Sequence, residues 1–180
     1  MLPQQITESI WSELHHACSD KLHAWRTPVL ATVDASGYPC ARTVVLRAVD
    51  AASQQLFIYT DRRSPKIQEL LHCKHAEIVF WNATLNWQLR AKAEIEVLTQ
   101  GNILEQAWEN IKHSTASTDY LRNQHPGAVI NHANDTSQTT QEHQLCILAA
   151  RVLELDWLEL SRNGNRRLRI KNNQAEWLVP

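Results

Sequence analysis

Apolar residues recur at positions 6, 10, 14, 17–18, 22 and 25, close to a 3.6-residue period, which predicts an amphipathic helix over residues 5–25. Thr27-Pro28 ends it. The pattern then shortens to strand length. Val29–Val33 reads as a strand, Asp34–Pro39 as a turn by composition, and Ala41–Val49 and Leu56–Tyr59 as two more strands. A polar turn at Asp50–Gln54 joins the last two, giving a three-stranded meander. Ser64-Pro65 starts a helix, with Ser as N-cap and Pro at the first helical position, and Ile67, Leu70 and Leu71 supply its apolar face. Ala76–Trp81 is the next strand. From Leu85 to Val97 every odd position is apolar and the even positions 86–96 are polar, which predicts a long strand with one buried and one wet face.

Residues 102–123 read as a helical insert broken near Ser114–Ser117, and the Pro-Gly and Ser/Thr/Asn/Gln-rich stretch 124–142 as a long exposed loop. Strands resume over 144–179: Gln144–Leu160, a hairpin turn at Arg162-Asn-Gly-Asn165, then Arg167–Ile170 and Ala175–Val179. Roughly seven antiparallel strands with peripheral helices predict an α+β fold built on a barrel, with residues 28–98 as its main body.

The 180 residues fit one domain spanning 1–180, and a net charge of −1 gives no electrostatic argument for nucleic acid or an anionic membrane as partner. No apolar run reaches membrane-spanning length and no N-terminal run has a signal-peptide pattern, so a soluble cytoplasmic protein is expected. The four cysteines form no C-x-x-C pair, which favours free thiols. Among nine histidines, His15-His16-x-Cys18 and His72-Cys73-x-His75 lack a second cluster at zinc-finger spacing, and no metal site is expected.

Basic residues gather at strand ends and at one helix start: Arg42, Arg47, then Arg62-Arg63-Ser64-Pro65-Lys66. Side chains and backbone N–H groups can hold a phosphate together at such places. With only four glycines, neither nucleotide-binding glycine loop can be written in this chain. For Arg62 and Arg63 a solvated loop and a phosphate contact stay equally open. Arg42 and Arg47 are five apart, so plain pleating sends them to opposite faces; both reach one ligand only if the strand bulges, twists sharply or serves two sites.

The run Leu30-Ala-Thr-Val-Asp-Ala-Ser-Gly-Tyr-Pro-Cys-Ala-Arg42-Thr43-Val44-Val-Leu-Arg47 resembles the opening of the pyridoxamine 5′-phosphate oxidase family, L-A-T-V-D-x-x-G-x-P-x-x-R-x-V-L-L-K. Phe57-Ile-Tyr59-Thr60-x5-Pro65-Lys66 is similar to its F-x-Y-T-N-x-x-S-R-K. Trp81-x5-Trp87-Gln88-Leu89-Arg90 resembles W-x5-R-Q-V-R, and Ala175–Pro180 resembles the family's W-x-x-x-R-L-x-P ending. The resemblance implies an antiparallel split β-barrel that forms a homodimer and binds FMN in clefts between the subunits. It places Arg42 and Lys66 on the FMN phosphate and Arg47 near the flavin ring or phosphate. Thr43, Val44, Tyr59 and Thr60 would line the cofactor, and Gln88 would hydrogen-bond the ring.

The chain departs from the family pattern in three places. An Arg-x-His pair that binds the vitamin substrate reads Arg167-x-Arg169, without histidine. F-W-Q-G reads Glu159-Leu-Ser-Arg162, and Ser-Arg-Lys reads Ser64-Pro65-Lys66. The resulting expectation is an FMN-dependent oxidoreductase acting on a small molecule, anionic if Arg167 and Arg169 receive it. No general acid or base is assigned. The alternatives are the vitamin oxidase itself, which makes pyridoxal 5′-phosphate, a flavin-binding protein without turnover, and a barrel that takes haem or a deazaflavin.

Overall fold

The computed structural model describes residues 2–129 and 139–180. Among these residues nine antiparallel strands form one sheet: β1 (Val29–Val33), β2 (Pro39–Thr43), β3 (Leu46–Asp50), β4 (Gln55–Asp61), β5 (His75–Asn82), β6 (Trp87–Leu98), β7 (Leu145–Glu159), β8 (Arg166–Lys171) and β9 (Gln174–Leu178). Their order is β2-β1-β5-β6-β7-β4-β3, with β8 on β7 and β9 on β8. The two end strands of this path, β2 and β3, are neighbours in sequence yet do not pair. This is a split barrel, and the split lies between Thr43 and Leu46.

That break corrects two expectations. Ala41–Val49 is not one strand, and β1, β2, β3 and β4 do not form a meander: β2 pairs only with β1 and β3 only with β4. The Val44 N–H bonds the Pro28 carbonyl at 2.9 Å and its side chain enters the core, so the chain must cross from one wall to the other there.

Among the described residues four α-helices surround the sheet: α1 (Pro3–Ser19), α2 (Pro65–His72), α3 (Asn102–Ile111) and α4 (Thr118–Leu121). The expected helix over 5–25 stops at Ser19. Asp20 Oδ1 accepts the Leu22 N–H at 2.9 Å, an Asx turn that competes with helix continuation. Leu22, counted on the apolar face, is exposed. Trp25 is fully buried, but through a separate turn of 3-10 helix at Ala24–Arg26. The Arg26 guanidinium caps α1 by bonding the carbonyls of Ala17 and Cys18 at 3.1 and 2.8 Å.

The alternation expected from Leu85 is realised from Trp87 on; Leu85 and Asn86 lie in the preceding turn, where Asn86 takes a positive φ of 53°. Trp87, Leu89, Ala91, Ala93 and Ile95 lie in the core. They pack with Leu30, Ile78, Phe80, Leu155, Trp157 and Leu168 of the facing strands and with Ile6, Ile10 and Leu14 of α1. Strand β7 is the longest, at 15 residues. One edge pairs with β6; the other pairs first with β4 (145–151) and then with β8 (154–159). A register shift opposite Lys92 and Ala93 marks the change of partner. A second small core, of Leu104, Ala107, Tyr120, Leu145 and Ile147, sits where α3 and α4 cover the outer face of β4 and β7.

The expected turn at Arg162–Asn165 does connect β7 to β8, as part of a longer loop. The tight two-residue turn lies at Asn172-Asn173, where both φ values are positive (50° and 60°) and asparagine tolerates them. The four cysteines are free thiols. No helix among the described residues is long and apolar enough to cross a membrane. Of the 124–142 loop, residues 130–138 lie outside the described residues.

Candidate functional site

Strand β2 places Arg42 directly across from Leu30, whose side chain is in the core, so Arg42 points to the barrel's inner side at the split. There it meets α2. Its Nη2 donates to Glu69 Oε2 at 2.6 Å, and its Nη1 donates to Thr32 Oγ1 and to the Leu30 carbonyl. The Thr32 hydroxyl donates in turn to Glu69. Three of the five N–H groups of Arg42 thus meet protein acceptors; the Nε–H and one Nη2–H stay uncommitted.

One helical turn before Glu69 lies Lys66. Its Nζ donates to Thr60 Oγ1 at 3.0 Å and to Ser64 Oγ at 2.5 Å, both neutral hydroxyls. Ser64 holds the N-cap position with extended backbone, yet its hydroxyl is spent on Lys66 and not on the helix N–H groups. Pro65 has no N–H and the Ile67 N–H bonds the Ser64 carbonyl at 2.9 Å, so side chains dominate this corner. Lys66 forms no ion pair among the described residues. Burial pushes its ammonium below the ordinary lysine value, and the neighbouring Arg42 guanidinium pushes it further.

A second group faces outward. Arg47 falls at the register shift between Leu46 and Ala48, and the bulge re-aims its side chain. This resolves the five-residue spacing: Arg42 and Arg47 stand on opposite lips of the split. The Arg47 guanidinium lies 6.0 Å from the centre of the Tyr59 ring and against the Tyr120 hydroxyl. Its Nε is buried without a hydrogen-bond partner, and it too has no ion pair among the described residues. Burial raises the phenols of Tyr59 and Tyr120 above the usual tyrosine value, and Arg47 works against that rise.

Thr43 is exposed at the end of β2 and Val44 is buried in the core, so Val44 can offer a ligand only its backbone. Gln88 lies elsewhere. It sits half-buried on the outer face of β6, directly across from Trp81 and Leu158, and Leu158 pairs with Arg167. Ile147, beside Tyr59, and Leu158, beside Gln88, are eleven positions apart along β7. At about 3.3 Å per residue this is roughly 35 Å. The structure therefore brings Arg42, Thr60 and Lys66 together, sets Arg47 and Tyr59 across the split, and leaves Gln88 on the outer face of β6, eleven β7 positions from the level of Tyr59.

Arg167 and Arg169 are engaged. Arg167 grips Asp156 with Nε at 2.9 Å and Nη2 at 2.7 Å, and Arg169 bonds Glu176 at 2.5 Å. Arg90 joins Asp156 at 2.7 Å. Burial alone would raise the Asp156 carboxyl, but these guanidinium bonds outweigh it and hold it below the usual aspartate range.

Arg62, which is exposed, and Arg63 both bond to the polar segment that follows α4. Arg63 chelates Asp61 and bonds the carbonyls of Arg122, Asn123 and Gln124 at 2.9, 2.9 and 3.4 Å. Arg62 holds Gln144 through its backbone and side chain, both at 2.7 Å. Each arginine ties down one limb of the polar loop. A Cβ on Gly127 would lie 3.9 Å from Pro65 Cγ, so the first limb rests on the start of α2.

Sequence reasoning missed Thr32, Glu69 and Tyr120, the partners that orient Arg42 and Arg47. The (66, 69) spacing of Lys66 and Glu69 on one helix face was the available signal for Glu69. A phosphate monoester suits the inner corner: one unneutralised ammonium, two guanidinium N–H groups without acceptors, and hydroxyls that already orient the ammonium.

Residues 8–99 match the family model described as pyridoxamine 5′-phosphate oxidase, FMN-binding domain. Pyridoxine/pyridoxamine 5′-phosphate oxidase 2 of Arabidopsis thaliana is 30% identical over 147 residues, covering 74% of this chain and 73% of the plant protein. Bacterial pyridoxine/pyridoxamine 5′-phosphate oxidases match over shorter stretches, covering 30% to 41% of their own lengths. A pyridoxamine 5′-phosphate oxidase-related, FMN-binding protein from Nostoc punctiforme superposes with a TM-score of 0.79 at 22% identity, covering 100% of this chain and 99% of that one. PhzG from Burkholderia lata, in complex with tetrahydrophenazine-1-carboxylic acid, gives 0.78 at 14% identity over 99% of this chain and 92% of its own. These two likenesses speak for the fold.

Proposed function

Starting from the fact that the chain belongs to the pyridoxamine 5′-phosphate oxidase FMN-binding domain family, we propose that it is an FMN-dependent oxidoreductase acting on a small molecule at a cleft completed by a second copy of the chain. The observation that carries the reading is Lys66: a half-buried cation held only by hydroxyls, beside a second cation whose side fork is open. Such an arrangement is costly without an anion and favourable with one.

In this reading Arg42, Lys66 and Thr60 hold the cofactor phosphate, with Ser64 orienting Lys66. Bound FMN supplies hydride or electron chemistry at its ring. Arg47, with its buried Nε lacking a partner, and Tyr59 form the wall beside the ring. Thr43 and Val44 border it at the other lip. Gln88 completes the ring contacts, but it stands roughly 35 Å along β7 from Tyr59. In this reading a second copy of the chain delivers it. The vitamin phosphate is not the substrate we favour. The Arg-x-His pair is replaced by Arg167 and Arg169, and both guanidinium groups are matched by carboxylates of their own sheet.

The test begins with the absorption spectrum and mass of the ligand that copurifies; a flavin monophosphate supports the cofactor, and a haem or deazaflavin refutes it. Mixing Lys66→Ala with Gln88→Ala copies then tests the shared cleft. Each mixed dimer should regain one intact site of two, whereas no recovery of flavin binding in the mixture overturns the shared site. Turnover is read as peroxide release on aerobic reoxidation with candidate amines and N-heterocyclic acids. Persistent silence with these, nicotinamide donors and quinones would leave flavin binding as the function.

A further inference from the structure

Glu69 is a carboxylate inside what the preceding reading makes a phosphate site, where a negative group is at first sight misplaced. Its surroundings explain it. The side chain is about one-tenth exposed. It accepts from Arg42 Nη2 at 2.6 Å and from the Thr32 hydroxyl, and Thr32 is itself fully enclosed and also accepts from Arg42 Nη1. Arg42, Thr32 and Glu69 thus close a three-membered ring of hydrogen bonds across β1, β2 and α2. The ring uses the end of the guanidinium and leaves its side fork, Nε–H with one Nη2–H, facing away from Glu69.

We infer that Glu69 is a positioning residue for the cofactor phosphate, acting through Arg42. A long arginine at the lip of a split would otherwise sample many rotamers and lose that freedom on binding. Pinned by Glu69 and Thr32, it presents an ordered bidentate edge before any anion arrives. The carboxylate also offsets one of the two positive charges, which limits the repulsion between Arg42 and Lys66 in the ligand-free protein. The inference rests on the FMN reading and extends it to a residue that never touches the ligand.

The experiment compares FMN with riboflavin, which lacks the phosphate, by fluorescence titration of the 180-residue protein stripped of ligand. Glu69→Ala should weaken FMN by about 3- to 10-fold, the scale set by immobilising one flexible side chain. Riboflavin affinity should move by less than about 2-fold, the scatter that distant sites show. Glu69→Gln, which keeps an acceptor for Arg42 and Thr32, should retain FMN as well as the parent or better. In an Arg42→Ala background, Glu69→Ala should cost nothing further, because its only route is gone.

Equal loss of FMN and riboflavin in Glu69→Ala would mean a general structural role and overturn the inference. So would additive losses in the double variant, or no loss in Glu69→Ala. If Glu69→Ala does not fold, Thr32→Val in a protein with intact Glu69 gives the same comparison: selective FMN loss supports the ring, equal loss or none refutes it. A parent protein that binds neither flavin defeats the functional reading itself, an outcome distinct from all of these.

Discussion

Two regions of this molecule are rich in cations, and they differ in what faces those cations. Along the outer face of β6, β7 and β8, Arg90, Lys92, Arg167 and Lys171 alternate with Asp156 and Glu154 at 2.7 to 3.7 Å, and Arg169 reaches Glu176. At the split, Lys66 and Arg47 have no acid partner among the described residues, and Arg42 shares only one. The difference lies in register: cross-strand pairing puts an acid beside each base in the ladder, whereas the bulge at Arg47 and the entry into α2 remove such partners at the split. In the ladder the charges are neutralised within the sheet; at the split they are not.

The sharpest way to break this comparison is to remove charge from each region in turn. Arg42→Ala with Lys66→Ala should reduce FMN affinity by on the order of 100-fold or more, since each charge-assisted bond is worth roughly 1.5–3 kcal/mol. Equilibrium dialysis reads this directly. A loss below about 5-fold would remove the split from consideration as the phosphate site.

Titration of Lys66 gives the next largest effect. Burial and Arg42 depress its pKa, so on raising the pH the ammonium is lost before the ordinary lysine range is reached, and FMN affinity should fall there. Lys66→Arg should keep its affinity over the same alkaline interval, because arginine stays protonated. The linkage to stability has the opposite sign. In the ligand-free protein the folded state binds fewer protons at Lys66 than the unfolded chain does, so this group adds stability as pH rises past the depressed pKa, and a bound anion should reverse that trend.

The ladder responds in stability and not in binding. Asp156→Asn should cost about 1 kcal/mol in urea unfolding at neutral pH, a modest value because Arg90 and Arg167 are partly exposed. Since the Asp156 pKa is lowered on folding, its contribution is present above the unfolded carboxyl pKa and is lost as pH falls through the folded one. The gap between parent and variant should therefore close in acid. Last and smallest, Arg169→Ala should leave FMN affinity within about 2-fold, because its partner is Glu176 on an edge strand. A large loss there would return the C-terminal arginines to the cofactor or substrate site.

Strand identity was legible because burial imposes period 2 on Leu85–Val97 and 3.6 on residues 6–17. The break inside Ala41–Val49 was not legible. Its residues all have strand character, and only the closure of the sheet decides that β2 and β3 take different neighbours. Arg42 and Lys66 could be singled out by spacing, but their different states of pairing could not. Thr32 and Glu69 reach Arg42 across 10 and 27 positions of sequence, and no local pattern reports such contacts. Arg62 and Arg63 stayed ambiguous for the same reason, since the carbonyls that Arg63 holds lie some 60 positions away.

The crossing from Thr43 to Leu46 has a mechanical corollary. Only Val44 and Val45 connect the two lips, and at about 3.8 Å between successive Cα atoms they act as a covalent ruler. The aperture is then a property of the polypeptide itself. Lengthening the ruler by one glycine would widen it by up to about 3.4 Å and would offer a direct handle on which guests the slot admits.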